Sequence, residues 1–222
     1  MKWKPSDPTS PHWYGQEHFA RLVSAYLAHD ADRDNQRTVR ELISQFRGLA
    51  TSSKQKAVLD ATELHRATLP ALMNADGSGL NDVVLNQLLS AMKSESKPVK
   101  PPLLGFIGKE HLAAKFASLK CEMESFAYQK AIGTTDGLPW IVETAFAWCP
   151  SASRRRIITG VNWSPGIVNP FRELGRFGQS LDTVLAAQRA TADEPVVLLL
   201  HLSCPRVMFA DRGKSTIVIE RG

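Results

Sequence analysis

The 222-residue sequence predicts an α+β protein with an all-helical first half and a sheet-rich second half. Three features lead there. Apolar residues before position 93 recur at helical spacing. After position 120 they alternate, or run in short apolar blocks bounded by turn residues. Between the halves, SESKPVKPP at residues 94–102 contains three prolines and cannot continue a helix. The predicted divisions are an irregular segment at 1–15, a helical domain at 16–93, a proline- and lysine-rich linker at 94–108, and an α+β domain at 109–222.

Composition narrows the function classes. Hydrophobic content is 43% and charged content 22%, as in an ordinary soluble globular protein. No run approaches the roughly 18–20 apolar residues of a membrane span. The start, MKWKPSDPTSPHWY, has lysines with no apolar segment behind them, unlike a signal peptide. A cytoplasmic protein without membrane contact is expected. Cys121, Cys149 and Cys204 are far apart and read as buried free thiols. No cysteine or histidine spacing fits a metal site. Net charge is +5, spread over both halves, which permits nucleic-acid contact without establishing it.

In the first segment, Trp3, Trp13 and Tyr14 suggest that the segment docks on something. Phe19, Leu22, Val23, Tyr26 and Leu27 then form one face of a helix, which the polar run from His29 ends. Thr38 and Glu41 have capping-box spacing, with Leu42, Ile43 and Phe46 as the apolar face and Gly48 as the stop. Ser52 or Ser53 opens a further helix to about Thr62. After a loop at 69–79 comes a helix at 80–92, with Val83, Val84, Leu88, Leu89 and Met92 inward. Asp76-Gly77-Ser78-Gly79 reads as an interhelical turn, since it lacks the carboxylates of a calcium loop. Arg40, Arg47, Lys54 and Lys56 cluster around one turn region. They are candidate DNA-phosphate contacts or a solvated helix surface.

The second half opens with a short helix at 109–119. Strands are predicted at 121–131, 138–149 and 157–163 as an antiparallel meander, with a hairpin turn at 133–137. Arg154-Arg155-Arg156 reads as an edge-protecting charged turn, or as a DNA contact. An irregular loop at 164–178 carries Arg172 and Arg176. A helix at 180–190 crosses over to a long apolar strand at 195–203 and, past the turn Ala210-Asp-Arg-Gly-Lys214, to a final strand. The order is β-β-β-α-β-β. Lys214, after Gly213 and between two apolar strands, suits contact with an anion.

This order of parts resembles the B subunit of DNA topoisomerase VI, a type IIB topoisomerase, downstream of its ATP-binding domain. Residues 38–92 (TVRELISQFRGLA…LLSAMK) look like the family's helix–two-turns–helix domain. The linker and KPPLLGFIGKEHL resemble the passage into its transducer domain, a ribosomal-protein-S-five-domain-two-like fold. IITGVNWSP at 157–165 is similar to a strand ending in Val-Asn-Arg, with Trp163 in place of the arginine. VMFADRGKSTI at 207–217 aligns on the segment that ends in the family's switch lysine, here Lys214. The likeness covers roughly residues 38–219. The Asn-bearing helix, Asp-x-Gly-x-Gly element and lid of the family's ATP-binding domain are not found. Nor is the long helix that follows the switch lysine, so the likeness implies a fragment, a split subunit or a degenerate relative.

The resemblance implies a transducer that couples ATP binding and hydrolysis elsewhere to conformational change on DNA. Lys214 would meet the ATP γ-phosphate, with Arg212 and Gly213 shaping the turn and Asn162 as a further polar contact. ATP and Mg would be bound only through a GHKL-type ATP-binding domain or polypeptide, so no catalytic residue is expected in this chain alone. DNA and a topoisomerase A-like subunit are the further partners implied. The alternative is a non-catalytic DNA-binding or adaptor module, in which the basic helical half carries the function.

Overall fold

The computed structural model describes residues 3–4, 6–165, 169–171, 180–207 and 217. The chain divides into two units, Pro5–Lys100, and Met1–Lys4 together with Pro101–Gly222.

In the first unit, helices start where side chains satisfy otherwise free amides. Thr38 Oγ1 accepts from the Glu41 amide at 3.1 Å, while the Glu41 carboxylate accepts from the Thr38 amide at 2.7 Å. This capping box opens α2 (Val39–Ser44). Asn81 caps α4 (Asp82–Ser94) by accepting from the Val83 and Val84 amides. These two helices pack with α1 (Gln16–Ala31) and α3 (Ser52–Thr62). Their shared core includes Phe19, Val23, Leu42, Ile43, Phe46, Leu59, Leu72, Leu88 and Met92. Each such side chain contributes about 1.5–3 kcal/mol by leaving water.

Two expectations are corrected in this unit. Val83 is 65% exposed, because the inward face of α4 is Leu85, Leu88, Leu89 and Met92, and Val83 falls on the other side of the helix. Helix α2 ends at Ser44, short of Gly48; Gly48 instead takes φ 81° in the turn toward α3. Tyr14 packs within its own unit, edge-on to Phe19 and Phe46 at 6.3 and 5.7 Å. Lys93 holds this segment by donating to the Tyr14 carbonyl at 2.9 Å.

In the second unit, α5 (Lys109–Ser118) precedes a five-stranded sheet. The strands are β1 (Ala127–Thr135), β2 (Leu138–Trp148), β3 (Arg156–Val161), β4 (Ser164–Pro165) and β5 (Val196–Ser203). The first strand begins later than the sequence suggests, since Met123–Ser125 forms a 3-10 turn. Asp136 and Gly137, with φ 49° and 78°, make the tight turn between β1 and β2.

The predicted antiparallel meander is not what forms. The spatial order is β1-β2-β5-β3-β4, with β5 antiparallel to β2 and parallel to β3. Strand β5, VVLLLHLS, is apolar on both sides and needs cover on both faces and neighbours on both edges. Insertion between β2 and β3 supplies all of these. On one face Leu112 and Phe116 of α5 pack on Ala145, Ala147, Val197 and Leu199. On the other, α6 (Leu181–Ala187) brings Leu181 against Leu198 and Leu200. The sheet is therefore mixed, and the molecule is α+β. Of the expected final strand, all but Ile217 lies outside the described residues.

Trp140 lies across Gly133, its partner in the β1–β2 register. A Cβ on Gly133 would stand 2.3 Å from the indole ring. Gly133→Ala is expected to destabilise the second unit by about 1–2 kcal/mol through displacement of Trp140. Denaturant midpoints check this, and the cost should shrink when Trp140 is first replaced by Leu.

Candidate functional site

Alternation along β2 turns Glu143 to the α5 side of the sheet, opposite Lys130 of β1 and His201 of β5 in register. Its side chain is fully buried, at 0% exposure. A buried carboxylate needs partners for all its lone pairs, and Glu143 has them. Oε1 accepts from the Gly108 amide at 2.8 Å and the Tyr128 hydroxyl at 2.9 Å. Oε2 accepts from the Ile107 amide at 2.7 Å and pairs with His201 Nδ1 at 3.2 Å. Gly108 reaches this position with φ 92°, a conformation that favours glycine.

Burial alone would push the Glu143 carboxyl up. The bonds from His201, the two amides and Tyr128 outweigh it and hold the carboxyl down at about 2. Burial, then the bond to Glu143, pushes the Tyr128 hydroxyl upward. Because an ionised carboxylate only accepts, Nδ1 of His201 carries the proton in their shared bond. Nε2 of His201 and Oγ of Ser203 are buried and have no hydrogen-bond partner among the described residues.

The far end of β5 is fastened to β3. The Asn162 side chain donates to the Cys204 carbonyl at 2.7 Å and accepts from the Cys204 amide at 2.8 Å. Its own amide donates to the Leu202 carbonyl at 2.9 Å. Asn162 and Trp163 both have positive φ, 48° and 69°, in the two-residue turn between β3 and β4. The expected strand through Trp163 thus ends at Val161. Asn is well suited to this backbone, whereas Trp is strained there. The Trp163 ring lies 5.0 Å from the His201 ring, and Gly160 beside it leaves room: a Cβ there would come within 3.2 Å of the imidazole.

Among the sequence-predicted residues, Asn162 belongs to this frame, with both ends of its amide engaged by Cys204. Lys214, Arg212 and Gly213 lie outside the described residues, as do Asp211, Arg172 and Arg176. Arg40, Arg47 and Lys56 are exposed and Lys54 is half-buried, and none of the four is in an ion pair among the described residues. The arginine run divides. Arg155 pairs with Asp182 of α6 and donates to the Ala190 carbonyl at 2.8 Å, while Arg154 and Arg156 are exposed. Cys121, Cys149 and Cys204 are free and buried.

Sequence reasoning did not single out Glu143 or His201. The available signal was a glutamate at an inward position of an alternating strand, WIVETAFAW, and a histidine within an otherwise apolar run. A polar side chain buried at such positions implies a partner on the adjoining strand.

No protein-family model matches the chain, and no curated protein matches it. Among solved structures, the B subunit of DNA gyrase from Myxococcus xanthus is similar at TM-score 0.32 and 19% identity. That likeness covers 53% of this chain and 35% of the gyrase chain. No helix among the described residues is long and apolar enough to cross a membrane.

Glu143 contributes stability that is fully present above the ordinary carboxyl range and is lost as pH falls toward its folded value of about 2. Glu143→Gln places an amide NH2 against backbone donors and is expected to cost about 3 kcal/mol at pH 7. Denaturation between pH 7 and pH 3 should show a shallower loss of stability in the variant than in the parent; equal slopes would remove Glu143 as the source.

Proposed function

We propose that this chain is the transducer portion of an ATPase similar to the B subunit of topoisomerase VI. It couples ATP binding and hydrolysis in a separate or upstream GHKL-type ATP-binding domain to conformational change on DNA. The observation that carries this reading is the Asn162–Cys204 clamp, which fixes the exit of β5 to that of β3. β5 leads in sequence to Arg212-Gly213-Lys214, so a fixed exit supports the use of Lys214 as a positioned cation.

In this mechanism Lys214 is a compact cation that neutralises charge at the terminal phosphate of ATP. Arg212 and Gly213 shape its turn. ATP, with its Mg, is bound by the other domain and supplies the phosphoryl chemistry. Losing the phosphate contact frees Lys214, and the transducer turns as a rigid body. Asn162 acts here through the backbone of Cys204, which its side-chain amide grips from both ends.

The isolated chain is expected to show no ATPase activity and no ATP binding by calorimetry; tight binding by the purified chain overturns the reading. In a complex reconstituted with its ATP-binding partner, Lys214→Ala should lower ATP turnover while the circular dichroism of the chain is unchanged. Unchanged turnover removes Lys214 from the mechanism.

A second reading, a DNA-binding or adaptor module without catalysis, draws on the exposed Arg40, Arg47 and Lys56 with the half-buried Lys54. It predicts a duplex-DNA gel shift without nucleotide that falls steeply with salt and vanishes when these four charges are reversed. A shift that survives the reversal excludes these residues as the contact.

A further inference from the structure

Strand β1 stands at one end of the sheet, with β2 on one side and no described strand on the other. The alternation of hydrogen bonds in the β1–β2 hairpin decides which of its backbone groups face that open side. Asp136-Gly137 is a two-residue turn, so the pair that flanks it, Thr135 and Leu138, exchanges hydrogen bonds. The next pair, Thr134 and Pro139, is a non-bonded one, as the missing N–H of proline requires. Counting on by twos, Gly133, Ala131, Gln129 and Ala127 bond to β2. Tyr128, Lys130, Ile132 and Thr134 direct their N–H and C=O groups outward.

Sheet edges are ordinarily guarded by charge, proline, a bulge or brevity. β1 is nine residues long and contains no proline, and its register with β2 runs without a bulge. Its one charged residue, Lys130, folds over the Phe106 ring, with Nζ 3.7 Å from the centroid. Ile132 and Phe106 are left exposed, at 45% and 42%. The opposite end of the sheet differs: β4 is two residues long and one of them is Pro165.

We infer that β1 is a homodimer interface, in which two copies of this chain pair their β1 strands antiparallel about a two-fold axis at Ala131. Ala131 is the midpoint of β1, so an axis there pairs the whole strand, and an axis elsewhere leaves residues over. It sets Lys130 opposite Ile132 of the second copy and Tyr128 opposite Thr134, which matches every outward residue. Ala131 meets Ala131 of the second copy, and two methyl groups permit close approach. An axis at Lys130 would oppose two lysines directly, which repels. Lys130 and Ile132 share the α5 side of the sheet, opposite Glu143 and Ile141 in register. Pairing therefore covers the exposed Ile132 with the Lys130 stem and Phe106 of the second copy. The short, proline-bearing β4 stops association at two copies.

The test measures the mass of the full chain by light scattering from micromolar to submillimolar concentration. A dimer that dissociates on dilution is expected. Ile132→Pro removes an outward N–H and leaves the bonds to β2 intact, so it should give a monomer with unchanged circular dichroism. Ile132→Lys keeps the backbone and sets like charges opposite each other at two points, and about tenfold weaker association is expected. With oxidised glutathione, Ala131→Cys should cross-link into a covalent dimer, because non-bonded pairs bring Cα atoms closest. Gln129→Cys should not, since its opposite residue is Gly133. A chain that is monomeric at every concentration overturns the proposal. So does association unaffected by Ile132→Lys, or failure of Ala131→Cys to cross-link in preference to Gln129→Cys.

Discussion

The sheet-bearing unit depends on one buried charge. The Glu143 carboxylate joins the Ile107–Gly108 backbone, Tyr128 of β1 and His201 of β5 at a single point on β2. Burying a carboxylate is tolerable only when its oxygens are fully engaged. Its four partners come from three separate stretches of chain, so they are placed together or not at all. Slipping β5 by one residue would carry His201 to the opposite face and leave the charge uncompensated. Apolar packing favours any arrangement that hides Leu198, Leu199 and Leu200; the Glu143–His201 pair selects one register among them.

That selection reaches the end of β5. His201 sits two residues before Ser203 and three before Cys204, whose backbone Asn162 grips from the β3 side. The strained Trp163 is retained beside the His201 ring because the Asn162 bonds hold the turn. Strain of this kind persists only where the surroundings over-determine it. The exit of β5 is thereby held from the sheet centre and from the neighbouring parallel strand.

The helical unit uses its charges differently. Arg40, Arg47 and Lys56 stand in solvent, with no ion pair among the described residues. Asp30 and Arg37 are withdrawn and matched to each other on one side only. The same contrast divides the arginine run of the second unit, where Arg155 secures α6 and its two neighbours face water. Charge in the sequence thus does not by itself distinguish a residue held in a pair from one that stands in solvent.

What the sequence determined by itself is local. Thr38 with Glu41 sets the start of α2, because both halves of a capping box lie within one turn. The period of Phe19 and Val23 sets the inward face of α1, and Asp136-Gly137 sets the β1–β2 turn. Tertiary structure alone decided the strand order, since the apolar run of β5 says that it is buried and not between which neighbours. It also decided that Val83 faces outward, that Glu143 meets His201 58 positions away, and that Asn162 closes on Cys204 rather than standing free. Each of these rests on a partner distant in the chain, and the free energy of such a contact is settled only once the fold has placed both residues together.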